Sequence, residues 1–383
     1  METWRRRSAE EQERRDVEAQ EHGDLEAQKR EGAEARKSRS AEAQNTQRQR
    51  MNDIKIGKVP NKLLEELVIG KMNTINDRVL LSGGIGEDFG VLDFGGECCI
   101  VSSDPITGTV KNAGKLAVHV ACNDIATCGI RPTAILTTLL LPPGTREAEL
   151  GALADDIAAA ASMLGVSVIG GHTEVTDAVN RTVISVTAIG AAPRGGYVAT
   201  GGAGVGDALV MTKSAGLEGT AIIAAEREVE LRGHFGAEFT DAAKRLSDDI
   251  SVVAEGVVSG AFGVNAMHDA TEGGVYGAAW EMAEACGGGI RIYADKINVL
   301  GVTRDICSFY DIDAFRLVSS GSMLIATDKP GGLIRELEAA GIRAAAIGEF
   351  LENPLEREIM RGGAAARLDQ PGPDELYKVL QQQ

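Results

Sequence analysis

Aromatic residues make up only 4% of this 383-residue chain, and proline occurs ten times. No stretch approaches the roughly 18 uninterrupted apolar residues that a membrane-spanning helix needs. The six cysteines (98, 99, 122, 128, 286 and 307) form no Cys-x-x-Cys pair and no zinc-ligand spacing, so they read as small, reduced core residues of a cytoplasmic protein. No basic stripe exists either. Beyond residue 50 there are 27 basic residues against 44 acidic ones, which carries the whole net charge of −17 and argues against nucleic acid as a partner. A GxxxxGK[ST] phosphate loop is absent, and so is any serine–histidine–aspartate order.

What is present divides in two. Residues 1–50 hold 12 Lys/Arg and 12 Asp/Glu, with Met1, Trp4, Val17 and Leu25 as their large apolar residues. Such a segment cannot bury enough surface to offset its ordering entropy, so a disordered or solvated extension is expected, with Met51 as a candidate functional start. The body that follows contains 45 of the 47 glycines and is rich in Ala, Val and Ile, a composition suited to tight turns and close backbone approach to a ligand.

The body is organised around residues 98–132. An apolar strand (98–101) leads into a polar turn at Ser102-Ser103-Asp104-Pro105, and a helix begins after Asn112, a reasonable N-cap. Ala113, Leu116, Ala117, Val120 and Ala121 share one helix face, and Asp124 falls on that same face. A carboxylate among core positions is costly unless it is paired, hydrogen-bonded or holding a cation. His119 falls off the stripe and is expected to face solvent. Around this unit the pattern predicts a helix over 60–70, strands over 89–94, 133–141, 166–169 and 182–189, and a helix over 146–164. Residues 170–174 read as a loop. This alternation indicates a layered α/β domain over 51–195.

The glycine-rich stretch 195–206 precedes a strand instead of following one into a helix, so it reads as linker, not dinucleotide fingerprint. A second α/β layer over 206–383 follows. It comprises strands at 208–212, 264–267, 322–327 and 343–350, and helices at 217–225, 247–258, 274–286 and 331–340. No short-period repeat occurs.

Polar residues collect at strand ends and helix starts: Glu87, Asp88, Asp104, Asn123, Asp124, His172, Glu174 and Asp269. Hard oxygen donors of this kind suit Mg²⁺ bridging to phosphates. Nearby glycines, among them Gly84, Gly86, Gly108, Gly170, Gly171, Gly273 and Gly274, let backbone amides approach phosphate oxygens. The turn Asp269-Ala270-Thr271-Glu272-Gly273-Gly274 opens a helix and offers a further anion site. Singly, Glu87, Asp88 and Asp104 suit ordinary turns, and His172 a satisfied loop histidine; His268 merely precedes Asp269.

Taken in order, Gly86-Glu87-Asp88, Ser103 to Thr109, Asn123-Asp124-Ile125-Ala126, Gly170 to Glu174 and Asp269 to Gly274 resemble the aminoimidazole ribonucleotide (AIR) synthase superfamily. The resemblance implies a two-domain fold whose N-terminal domain pairs with its twin into a shared barrel in a homodimer. It also implies an ATP site between the domains, with Asp88, Asp104 and Asp124 on Mg²⁺ and the phosphates. Asp88, Asp124 and Glu174 become the candidate catalytic residues. Gly84, Gly86, Asp104, Asn123, Gly170, Gly171, His172, Asp269, Gly273 and Gly274 become the cofactor-binding ones. The implied chemistry is ATP-dependent activation of an amide- or carbonyl-type acceptor, small or carbamoyl-bearing.

Within the superfamily the look is nearest to HypE, the hydrogenase-maturation group, which makes a maturation partner protein an expectation. Two departures mark the chain as a HypE-like paralogue. It ends Lys378-Val379-Leu380 and three glutamines, so self-modification at a terminal cysteine is not expected, and Glu272 stands where that group tends to carry arginine. The competing reading is a non-catalytic, ATP-binding scaffold subunit.

Overall fold

The computed structural model describes residues 58–72, 75–107 and 112–381. The charged extension, Met51, Gly108 and Thr109 lie outside the described residues. Helix α1 (Asn61–Leu67) leads to strands β1 (Val79–Leu81), β2 (Gly90–Asp93) and β3 (Glu97–Ile106), and then to helix α2 (Ala113–Thr127). Next come β4 (Pro132–Leu141), α3 (Glu147–Leu164), β5 (Ser167–Val175) and β6 (Val183–Pro193). The six strands form one mixed sheet in the order β1-β2-β3-β6-β4-β5, antiparallel except for β4 and β5, which the α3 crossover joins in parallel.

The second sheet uses β7 (Ala208–Thr212), β8 (Ala266–Asp269), β9 (Gly289–Tyr293), β10 (Met323–Thr327), β11 (Ala344–Leu351), β12 (Arg357–Arg361) and β13 (Ala364–Arg367). Its order is β13-β12-β9-β11-β7-β10-β8, and only the β9–β12 pair is parallel. In chain order its helices are α4 (Leu217–Glu226), α5 (Glu228–Phe235), α6 (Ala237–Lys244), α7 (Val253–Phe262), α8 (Gly274–Ala285), α9 (Gly301–Tyr310), α10 (Pro330–Ala339) and α11 (Leu376–Leu380). No helix among the described residues is long and apolar enough to cross a membrane.

Two elements run through residues expected to break them. Strand β3 does not turn at Ser102; it continues to Ile106 and pairs residue for residue with β6, Asp104 opposite Val186. Strand β2 covers β3 only as far as Val101, so beyond it one flank of β3 has no sheet neighbour among the described residues, and Pro105 forfeits no ladder bond there. Strand β5 likewise absorbs the predicted loop, carrying Gly170, Gly171, His172, Thr173 and Glu174 in register with β4.

Helix α2 is buried almost all round, not on one stripe. Ala117, Ala121 and Ile125 join Ile100, Ile135, Ile184 and Val186 in the first core. On another side α2 meets α7 so closely that a Cβ at Gly256 would lie 2.1 Å from the carbonyl oxygen of Ala126. This sandwiching corrects the reading of His119. It is only 1% exposed, and neither ring nitrogen has a hydrogen-bond partner. Burial, with Lys115 and Lys213 nearby, pushes its pKa down to about 4, so it is neutral. Asn112 does sit at the helix start, but in a left-handed conformation (φ 56°) with no side-chain cap. The glycine-rich stretch, read as linker and turn, is closely packed: a Cβ at Gly202 would lie 2.2 Å from the Asn265 carbonyl oxygen, and Thr200 is buried.

Candidate active site

Four carboxylates from four segments face one another at the seam between the sheets. Asp88 is delivered by the loop of residues 82–88. There Gly86 adopts φ +78° and lies so close to α8 that a Cβ would stand 2.8 Å from the Glu281 carbonyl oxygen. Asp104 projects from β3 and is half-buried. Asp124, on α2, is buried and accepts a 2.5 Å hydrogen bond at Oδ2 from Ser102 Oγ. Asp269 ends β8; it is fully buried, and neither carboxyl oxygen has a hydrogen-bond partner.

Burial and mutual repulsion raise the pKa values of this set. Asp124 lies well above the carboxylate range because of burial first and then the charges of Asp104, Asp269 and Asp88. Burial and Asp88 do the same to Asp269, and Asp104 is raised by burial and Asp88. Burial pushes Glu87 up to about 7, against hydrogen bonding from Thr200, whose backbone N and Oγ1 each stand 3.5 Å from Oε1.

A histidine organises one flank. His268 Nδ1 lies 2.5 Å from Asp88 Oδ2, and Nε2 lies 3.2 Å from Glu281 Oε2. Glu281 Oε1 in turn meets Lys58 Nζ at 2.8 Å. Burial disfavours the imidazolium, yet Asp88 and Glu281 outweigh it and raise the His268 pKa well above its ordinary value. Burial also works against an ionised Glu281, but His268 and Lys58 hold it down at about 2. Asp88, His268 and Asp269 present ligand atoms within 4.8 Å of one another. Both ring nitrogens of His268 are already engaged by carboxylates, so the donors left for a cation are oxygens, the set that suits Mg²⁺. The orphaned oxygens of Asp269 fit that reading, since a fully buried carboxylate without a partner lacks compensation within the chain.

The remaining candidates are placed differently. Asn123 spends both polar atoms on backbone: Nδ2 donates to the Ile250 carbonyl (2.8 Å) and Oδ1 accepts from Val252 N–H (2.8 Å), which clasps α2 to the following layer. The Gly273 N–H, a candidate phosphate donor, is taken by Asp374 Oδ2 at 2.7 Å, and Gly274 packs under the carbonyls of Phe315 and Leu317. Gly84 forms a tight turn bridged to Glu87. Gly170, Gly171, His172 and Glu174 lie on the exposed edge strand β5, where His172 Nε2 is 3.2 Å from Glu174 Oε2. Asp104, Val186, Thr137 and Gly171 share one row across β3, β6, β4 and β5. Three strand spacings of about 4.8 Å thus separate Asp104 from this group along the sheet, roughly 14 Å. Sequence reasoning passed over Lys58, Ser102, His268 and Glu281.

Buried like charges gathered at a seam between two packed layers cost stability and do nothing for packing; the arrangement is that of an enzyme. The N-terminal domain model of AIR synthase related proteins matches residues 86–192, and the C-terminal domain model matches 204–360. A carbamoyl dehydratase HypE of Rhizobium leguminosarum bv. viciae is 30% identical over 277 residues, 70% of this chain and 77% of the relative. A putative hydrogenase expression/formation protein of Methanocaldococcus jannaschii is 28% identical over 282 residues, 71% of this chain and 81% of the relative. Among solved structures, a HypE–HypF complex superposes with TM-score 0.67 at 23% identity, covering 81% of this chain and 99% of that one. A HypE in complex with ATP gives TM-score 0.59 at 19% identity over 83% of this chain and 96% of that one. The chain belongs to the AIR synthase related family.

Proposed function

We propose that this protein is a Mg²⁺- and ATP-dependent, HypE-like enzyme that activates an amide- or carbonyl-type acceptor by phosphoryl transfer in metalloenzyme (hydrogenase) maturation. The observation that carries the reading is the convergence of Asp88, Asp104, Asp124 and Asp269 at the seam, with both Asp269 oxygens unpartnered. Relatives named as carbamoyl dehydratases support the acceptor class, and the fold shared with an ATP-bound HypE supports the nucleotide. Asp88, Asp104, Asp124 and Asp269 would hold Mg²⁺. Bound there, Mg-ATP supplies the phosphoryl group and the neutralisation that its transfer requires.

The chain's own contribution is positioning and proton handling. His268 and Glu281 fix the carboxylate of Asp88, and Ser102 fixes that of Asp124. Glu87, poised near 7, exchanges a proton at neutral pH and suits a general base or acid. Strand β5 supports the homodimer: it is a sheet edge exposed along its whole length, with Val168, Ile169 and Val175 each about half exposed or more. A second copy on that edge would cover His172 and Glu174. A maturation partner protein belongs to the same reading.

Calorimetric titration of ATP into the full chain, with and without Mg²⁺, tests the proposal. Metal-dependent binding that disappears in Asp124→Asn is the expected result. Binding indifferent to metal and to Asp124 refutes it, and binding without turnover of any amide acceptor favours the scaffold.

A further inference from the structure

Lys58 is the first of the described residues, and its side chain enters the network that holds Asp88. Three contacts join the two: Lys58 Nζ to Glu281 Oε1 at 2.8 Å, Glu281 Oε2 to His268 Nε2 at 3.2 Å, and His268 Nδ1 to Asp88 Oδ2 at 2.5 Å. The Lys58 backbone is pinned on both sides. Its N–H donates to Glu272 Oε1 at 3.3 Å, and two residues on, the Pro60 carbonyl accepts from the N–H groups of Leu63 and Leu64 in α1. Burial works against the ammonium, yet Glu281, Asp88 and Glu272 outweigh it and raise the Lys58 pKa, so the group is a cation.

The two cations of this network differ in freedom. The His268 side chain is 2% exposed, with a carboxylate at each ring nitrogen. The Lys58 side chain is 44% exposed, on a flexible four-carbon stem with three donors, and its one side-chain partner among the described residues is Glu281. Glu281 does not depend on that partner. Its Oε2 stays with His268 when the lysine turns away, so no buried carboxylate is left unpaired. An ion pair that served only to neutralise Glu281 would have no use for a half-open ammonium with donors to spare.

The site needs such a group. Asp88, Asp104, Asp124 and Asp269 are acids, and a nucleotide polyphosphate adds negative charge to them. Metal offsets part of it, and a phosphoryl group in transfer spreads further charge over its three equatorial oxygens. Lys58 is the cation of the network with donors left to meet those oxygens.

We propose that Lys58 contacts the terminal phosphate of the bound nucleotide, exchanging Glu281 for a phosphate oxygen, and so sets a preference for a triphosphate over a diphosphate. The assignment rests on the phosphoryl-transfer reading and adds to it a binding residue and a selectivity. The phosphoryl group to be transferred lies against the metal-holding carboxylates, and Lys58 stands beside that set on a pinned backbone with a movable side chain. The terminal phosphate is also the group that a diphosphate lacks, which makes the contact separable from every other one.

Calorimetric titration of a non-hydrolysable ATP analogue and of ADP into the full chain, both with Mg²⁺ and at one ionic strength, tests it without turnover. The parent is expected to bind the analogue at least tenfold tighter than ADP. Lys58→Met is expected to weaken the analogue tenfold or more and ADP less than threefold, the retained ADP binding showing that the variant is folded. Lys58→Arg, which keeps the charge, should recover at least threefold of the loss. Equal weakening of both nucleotides, the mark of a merely structural lysine, overturns the assignment and leaves the proposed function standing. So does a Lys58→Met protein that binds the analogue like the parent, or a Lys58→Arg protein as weak as Lys58→Met. A parent that binds neither nucleotide defeats the phosphoryl-transfer reading itself, and this assignment with it.

Discussion

Replacing Asp269 by asparagine should make the metal-free protein more stable while abolishing its response to Mg²⁺. Both Asp269 oxygens are buried without hydrogen bonds, so the exchange sacrifices no bond. It removes repulsion with Asp88, whose ligand atoms lie within 4.8 Å. Two like charges at that distance repel by about 3 kcal/mol at an effective dielectric of about 20. The opposing attraction of His268 reduces the gain to about 1–2 kcal/mol, or about 2–5 °C in melting temperature.

The pH dependence follows from the same shift. A carboxyl whose folded pKa is raised contributes stability that is fully present below its unfolded value and is lost as pH rises through the folded one. Below about pH 4 Asp269 is neutral in both states, so variant and parent should melt alike. The variant's advantage should then open as pH rises. Saturating Mg²⁺ should reverse the order, because a cation at a hundredfold excess over its dissociation constant stabilises the native state by about 2.7 kcal/mol. Differential scanning fluorimetry from about pH 3 to 9, with and without Mg²⁺, reads all of this. An Asp269→Asn protein less stable than its parent at every pH, or stabilised by Mg²⁺ as much as its parent, would refute the reasoning.

Two further substitutions probe the neighbours of this site. His268→Gln removes the cation between Asp88 and the buried Glu281 and should cost about 3 kcal/mol in guanidinium unfolding, with at least tenfold weaker Mg-ATP binding. Adding Glu281→Gln should recover part of the stability, and a strictly additive double variant would show that the two residues are uncoupled. Gly256→Ala would drive a methyl group into the Ala126 carbonyl oxygen and should lower stability by about 1–3 kcal/mol or more; an unchanged urea midpoint would mean that α2 and α7 can part without cost.

Elements with strong internal pattern were legible in the sequence. Strand β7 was expected at its observed bounds, and β4 and α3 within one residue, because a continuous apolar run or a long alanine-rich period leaves little choice. Helices α5 and α6 were passed over. Each buries only one or two residues (Leu231; Thr240 and Ala243), so the period that would reveal them is weak. Pro105 and the glycine pair at 170–171 were read as breaks, and tertiary context overrode them: among the described residues β3 has no neighbour on one flank there, and β5 is a sheet edge where register with β4 decides the conformation.

The same contrast governs the site. Asp124 was found by asking why a carboxylate should sit on an apolar helix face. That question, put to Glu281 between Trp280 and Met282, or to Glu218 beside Leu217 and a turn from Ala221, finds two more buried acids of the same kind. His268 was available by a related argument, since it stands inside a strand whose four residues are all buried. Asn123, His172 and Glu174 mark the limit of such reasoning. Asn123 adjoins Asp124 in the chain, but its amide turns to the backbone of residues 250–252. His172 and Glu174 follow a glycine pair as a phosphate-binding turn would, yet strand order carries them three strands from Asp104. Burial of a charged group can be inferred from its immediate neighbours in sequence. Which other charged group it will face depends on strand order, and no local pattern encodes that.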